Sequence, residues 1–188
     1  IGVRLVGSEM CIRDSTLNAD AAITQTVLAC VDMSATRTGA LIIFERDNRL
    51  DDQIRTGTIL DAETTAELLK NIFYPKAPLH DGAAIIRSGR IKAAGCMLPL
   101  SNNPNLSKEL GMRHRAGIGM SEASDAVVVI VSEETGAISV AVNGMLKRHL
   151  TKDTFEKILR NELIPEVKEE PTGAFRFLRR KEKDKADE

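Results

Sequence analysis

The sequence predicts an α/β domain: a mixed β-sheet flanked by helices. Two hairpin-like stretches and the helical segments around them lead to that class. "DAVVVIVSEETGAISVAV" (125–142) sets a continuous Val/Ile run, typical of a central strand, against a second apolar run across a turn. "AAIIRSGRIKAAGCML" (83–98) repeats the device around Ser88-Gly89. Strands interspersed with segments of helical period give a sheet covered by helices.

Taken in order, a helix is expected from Ala19, with Ile23, Val27, Cys30 and Val31 on one face and Gly39 as its stop. "ALIIFE" (40–45) reads as a buried strand, "NRLDD" as a turn and "GTIL" as a short strand. Asp61 is expected to cap a helix whose stripe is Ala62, Ala66, Leu69 and Phe73. Pro75 and Pro78 end that helix and favour extended chain after it. Beyond the first hairpin, "PLSNNPNLS" is a polar loop and "RHRAGIGMSEAS" a short helix, disfavoured at Gly117 and Gly119 by ~1 kcal/mol each. Thr151 is expected to cap a last helix carrying Phe155, Ile158 and Leu159. Met97, Met120 and Met145 read as core filler, and His149 as a surface residue.

Composition sets bounds on function. With 188 residues, 43% hydrophobic and a formal net charge of -1, the chain can bury one domain's core but has no global field to gather nucleic acid or coat a membrane. Cys11, Cys30 and Cys96 are widely spaced, which argues against a disulfide framework or zinc site and for a reducing cytoplasm. No apolar run approaches the ~20 residues of a membrane helix. "EMCIRDS" (9–15) back-translates onto a transposon end used in sequencing libraries, so residues 1–15 read as a non-native scar, 16–164 as the domain. Residues 165–188 carry seven acidic and seven basic side chains and read as a charged, disordered tail.

Three clusters can carry chemistry. In "PLHDGAAII" (78–86), Asp81 is either a turn aspartate bonding local N–H groups or a carboxylate that binds metal or takes a proton from a hydroxyl. Gly82 and Ala83 would let a flat ligand approach the backbone. "GMRHRAG" (111–117) puts Arg113 and Arg115 at a helix start, where the helix dipole mildly repels them. A bound polyanion removes that conflict, which favours anion binding over a plain basic surface. "SEETG" (132–136), as an isolated string, is a hairpin turn with exposed acids; facing a basic triplet, it can hold a metal, base or sugar. No GxxxxGK[ST] or GxGxxG string occurs, so phosphate-loop and Rossmann readings lack local support.

Together "PLHDGAAII", "LPLS" (98–101), "SKELGMRHRAGIGMSE" and "IVSEETG" resemble the diadenylate cyclase domain, in order and with family-like spacing from about Thr38 to Phe155. "LLKNIF" (68–73) resembles the membrane-anchored class, whose transmembrane helices lie upstream. The resemblance implies condensation of two ATP into cyclic di-AMP, with Asp81 activating the ribose 3′-hydroxyl and Gly82 and Ala83 shaping the pocket. It implies triphosphate binding by Arg113, His114 and Arg115, adenine contact at the Leu98 backbone, and a second wall from Ser132, Glu133 and Glu134. His80 and Asp81 become the expected ligands of a divalent metal (Mn²⁺, Mg²⁺ or Co²⁺). Met112 stands where many relatives carry threonine.

One copy of each motif, for a product with two equivalent bonds, implies a homodimer with each copy holding one ATP. Nucleic acid is not expected as a partner. The longer parent is expected at the cytoplasmic side of the membrane, attached through upstream helices. Two alternatives remain at this stage: an ATP-binding regulatory module without turnover, and an interaction domain working through its tail.

Overall fold

In the computed structural model, residues 6–104, 106, 107 and 110–164 are described, with side chains from residue 17 onward. The expected tail (165–188) and the first five residues of the expected scar lie outside them. The elements run α1 (Val6–Ala35), β1 (Ala40–Phe44), α2 (Asp51–Thr56), β2 (Thr58–Glu63), α3 (Ala66–Ile72), β3 (Ala83–Arg87), β4 (Arg90–Cys96), α4 (Met112–Ala123), β5 (Val127–Val131), β6 (Ile138–Val142), β7 (Met145–Lys147) and α5 (Lys152–Leu163).

The strands form one seven-stranded sheet in the order β2-β4-β3-β1-β5-β6-β7. Among the described residues only β1 and β3 pair in parallel; every other neighbouring pair is antiparallel. The mixed sheet is therefore the expected one. β1 and β5 are buried on both faces, and the two-residue period sorts their side chains into two cores. Ile42, Phe44, Val127, Val129 and Val131 meet α1, α3 and α5. Leu41, Ile43, Val128 and Ile130 meet Ile54 of α2 and Ile118 and Met120 of α4. The result is three layers, helix–sheet–helix.

Several local expectations hold. Ile23, Val27 and Cys30 are buried on α1, and Thr151 accepts a hydrogen bond from the Thr154 N–H. Ser88 and Gly89 both have positive φ (52° and 77°), as a tight two-residue hairpin turn requires.

Others are corrected. α1 ends at Ala35, with Arg37 turning the chain at φ 53°, so Gly39 is not the stop. "NRLDD" leads into α2 because the buried Leu50 and Ile54 anchor a helical turn on the second core. Asp61 lies within β2 at an irregularity in the β2–β4 register, bound to Arg90 and Lys92, and the cap of α3 is Thr65. After α3, successive turns rather than extended chain carry residues 73–82. Of the three methionines, only Met120 is core; Met97 and Met145 are exposed.

The glycines of α4 lower its intrinsic helix propensity and raise its packing. A Cβ at Gly117 would come within 2.9 Å of Ile130 Cδ1, and one at Gly119 within 2.4 Å of the Pro99 carbonyl oxygen. Their absence lets α4 settle directly on β5 and on the 99–101 loop. The Ser101 N–H then donates to the Arg115 carbonyl (3.0 Å), and the Ser101 hydroxyl bonds Glu122 (2.9 Å). The start of α4 is thereby fixed relative to the sheet.

Candidate active site

Strand direction brings the clusters together. β1 and β3 start at one edge of the sheet, while β4, β5 and β7 end there, because each runs antiparallel to its neighbour. Along that edge lie, in order, Leu98 after β4, His80 and Asp81 before β3, Gly39 before β1, Ser132 to Glu134 after β5, and Arg148 after β7. The amino end of α4 stands over it. A cleft of about 870 Å³ opens there, lined among others by His80, Asp81, Arg113, His114, Ser132, Glu133, Glu134 and Arg148.

Each cluster is held by identifiable contacts. His80 Nδ1 lies 2.6 Å from the Ala77 carbonyl oxygen and donates to it, which leaves Nε2 as the ring nitrogen turned to other partners. Asp81 is exposed in the cleft. Gly82 has φ +113°, and a Cβ there would lie 2.7 Å from the Gly95 carbonyl carbon. Glycine is thus required for the chain to cross tightly onto β4 between Asp81 and the buried Ala83. The 132–136 turn is tied to the end of α1 by the Ser34 hydroxyl, which donates to the Gly136 carbonyl (2.6 Å).

The electrostatics are mixed. α4 starts at Gly111 with no side-chain cap and no acid in its first turn, so its leading N–H groups present partial positive charge to the cleft. Arg113 Nη1 donates to Glu133 Oε2 at 2.5 Å. Burial holds the His114 pKa below its ordinary value, the Arg148 charge adds to the depression, and Glu134 opposes it. Asp81, Glu133 and Glu134 line the same cleft as Arg113 and Arg148. Such a site combines anion-binding groups with a carboxylate able to take a proton.

Seven of the residues singled out in the sequence line this cleft: His80, Asp81, Arg113, His114, Ser132, Glu133 and Glu134. Four stand beside it. Arg115 is half-buried with Nε 3.4 Å from the Leu110 carbonyl oxygen. Leu98 packs against the second core, and Gly82 and Ala83 form the entry to β3. Gly39 and Arg148 were missed. A Cβ at Gly39 would meet Arg113 Nη1 at 2.7 Å and Glu133 Oε2 at 3.0 Å, a contact that no local string reveals. Arg148 sat in "KRHL", where only the β7 turn aims it at the cleft.

Residues 27–146 match the DAC family, described as DisA bacterial checkpoint controller nucleotide-binding. The chain belongs to that family. Its DAC domain is 52% identical over 130 residues to cyclic di-AMP synthase CdaA of Bacillus subtilis, covering 69% of this chain and 48% of that protein. It is 48% identical over 140 residues to a diadenylate cyclase of Listeria monocytogenes, covering 74% and 51%. The chain thus spans about half the length of these relatives. The crystal structure of a double cysteine mutant of DacA from Staphylococcus aureus is similar with TM-score 0.76 and 47% identity, over 77% of this chain and 97% of that one. A hypothetical membrane spanning protein from Bacillus cereus gives TM-score 0.66 and 47% identity, over 68% and 63%. Among the described residues of the DAC domain, no helix is long and apolar enough to cross a membrane.

Proposed function

We propose that this domain is a diadenylate cyclase, joining two ATP into cyclic di-AMP with release of two pyrophosphates. The observation that carries the reading is the convergence of Asp81 and Arg113, from two different elements, on one cleft. The names of the Bacillus subtilis and Listeria monocytogenes relatives support it.

The Asp81 carboxylate takes the proton of a ribose 3′-hydroxyl as that oxygen attacks the α-phosphorus of the opposing ATP. A 3′-oxygen–phosphorus bond forms, the α–β phosphoanhydride bond breaks, and its electron pair leaves on pyrophosphate. Arg113 and the uncapped N–H groups of α4 stabilise the negative charge that gathers on the phosphate oxygens. Arg115, in the same first turn of α4 and near the Leu110 carbonyl, adds positive charge beside the cleft. His114 stands at the cleft as a buried, mainly neutral imidazole able to hydrogen-bond phosphate. The Leu98 backbone, with Gly82 and Ala83, forms the adenine side, and Ser132, Glu133 and Glu134 the opposite wall.

A divalent cation fits the donor set. His80 Nε2 and the Asp81 carboxylate would hold it, and among the described residues no group of three His, Cys, Asp or Glu forms a closed cage. Two protein ligands leave positions for phosphate oxygens, the arrangement common for Mg²⁺, and Mn²⁺ and Co²⁺ suit it as well. When bound, such a cation neutralises phosphate charge and acidifies the attacking hydroxyl.

Two copies are needed, because one cleft positions one ATP and the product has two equivalent bonds. Met112, in the cleft and 65% exposed, and Met97, leaving the same sheet edge and 73% exposed, offer apolar surface that pairing would cover. In the longer protein, helices upstream of the domain attach it to the cytoplasmic face of a membrane. Product analysis by mass spectrometry, with ATP and Mn²⁺ at several protein concentrations, tests the reading. Cyclic di-AMP and pyrophosphate forming at a rate that rises steeply with concentration are expected. ATP bound by confirmed dimers without product would contradict it.

A further inference from the structure

We propose that Arg148 is a further substrate-binding residue, which grips the terminal phosphates of ATP and then the departing pyrophosphate. The inference rests on the cyclase reading above and adds a cation from a part of the fold that no motif marks.

Its place along the sheet edge is the first argument. Adjacent strands lie ~4.8 Å apart, and β3 and β7 are separated by four such steps. Asp81 and Arg148 therefore stand at opposite ends of the cleft, roughly 19 Å apart along the edge. Arg113 and Glu133 lie between them. A nucleotide with its ribose near Asp81 runs its phosphates past Arg113, and the terminal ones come within reach of Arg148.

The second argument is charge. Arg113 is already engaged by Glu133, whereas Arg148 forms no ion pair among the described residues. It is also near enough to His114 for its charge to add to the depression that burial imposes on that imidazole. A guanidinium left without a carboxylate at the end of an anion-binding cleft matches phosphate oxygens in geometry and sign.

The third is that the backbone around Arg148 is held. β7 pairs with β6 up to Lys147, and the Leu150 N–H donates to the Ile138 carbonyl (3.0 Å). Between these anchors the chain turns through a left-handed conformation at His149, φ 56°, which non-glycine residues seldom adopt. Anchored on both sides, the turn keeps Arg148 at the cleft. During the reaction, the electron pair of the broken phosphoanhydride bond settles on pyrophosphate, and Arg148 would meet that new charge.

The test compares the parent 188-residue chain with Arg148→Ala and Arg148→Lys by calorimetric titration of ATP, AMP and inorganic pyrophosphate, alongside cyclic di-AMP production. Arg148→Ala is expected to weaken ATP and pyrophosphate about tenfold, leave AMP within twofold, and keep the melting temperature because the side chain is exposed. Arg148→Lys should recover part of the loss. Unchanged ATP and pyrophosphate affinity in Arg148→Ala, beside a parent that makes cyclic di-AMP, overturns this inference alone. Equal weakening of AMP also overturns it, since the effect would then lie away from the terminal phosphates. A parent that binds no ATP overturns both this inference and the reading beneath it.

Discussion

Arg113 of α4 and Glu133 of the β5–β6 turn form a 2.5 Å ion pair across the mouth of the cleft, and a missing side chain at Gly39 makes room for it. The same guanidinium is the one that the cyclase reading assigns to phosphate, so on that reading an internal carboxylate and ATP share Arg113.

Replacing Arg113 separates binding from folding. Its partner Glu133 is 63% exposed, so solvent screens the pair and its contribution to stability is under ~1 kcal/mol. Arg113→Ala is expected to weaken ATP at least tenfold while the melting temperature moves by no more than about 4 °C. Titration calorimetry and thermal unfolding check the two halves.

Gly39→Ala tests positioning without removing a charge. The Gly39 backbone lies outside the left-handed region, so alanine costs little there, but its Cβ must displace the Arg113 guanidinium. We expect an ATP affinity close to that of Arg113→Ala with a near-parental melting temperature. The double variant should be no weaker than Arg113→Ala alone, since both substitutions act on one contact.

Stability and binding should also separate at the opposite sheet edge. The Glu45 carboxylate, 2% exposed, accepts from Arg87 at 2.6 and 2.7 Å and from the Leu50 N–H at 3.0 Å. Glu45→Ala takes the acceptor from the Leu50 N–H and from Arg87 Nε, leaving Arg87 only its ion pair with Asp51, with an expected loss of about 2 kcal/mol in urea unfolding. Glu45 follows the far end of β1 from the cleft, so ATP affinity should persist in the folded fraction.

His114 gives a pH signature. Burial, followed by the Arg148 charge, lowers its pKa in the folded state, so the unfolded chain binds the proton more readily. This contribution to stability is intact above the unfolded value of ~6.5 and is lost as pH falls below it, through the depressed folded value. Urea midpoints measured from pH 7.5 to 5 should fall less steeply in His114→Gln than in the parent.

Much of this was legible in the sequence. The alternation of apolar runs identified both hairpins and the central β5, because burial on two faces demands Val and Ile at every position. The "HDG", "RHR" and "SEE" strings marked seven cleft residues, since arginines at a helix start conflict with its dipole unless an anion is bound, and the three strings follow one another in a family-like order. What escaped depended on contacts distant in sequence. Gly39 is determined by Arg113 and Glu133, more than seventy residues away, and reads locally as a helix stop. Asp61 reads as a cap until the β2–β4 irregularity delivers it to Arg90 and Lys92. Arg148 depends on the short strand β7, three residues that carry no periodic signal.

The role of Asp81 is tested most directly by comparing Asp81→Asn with the parent for ATP affinity and for cyclic di-AMP formation in the same preparation. Retained ATP affinity with product formation reduced at least a thousandfold is the predicted result, since the proton acceptor and one cation ligand are lost while Arg113 and the α4 N–H groups that bind phosphate remain. Cyclic di-AMP formed at the parental rate would contradict it.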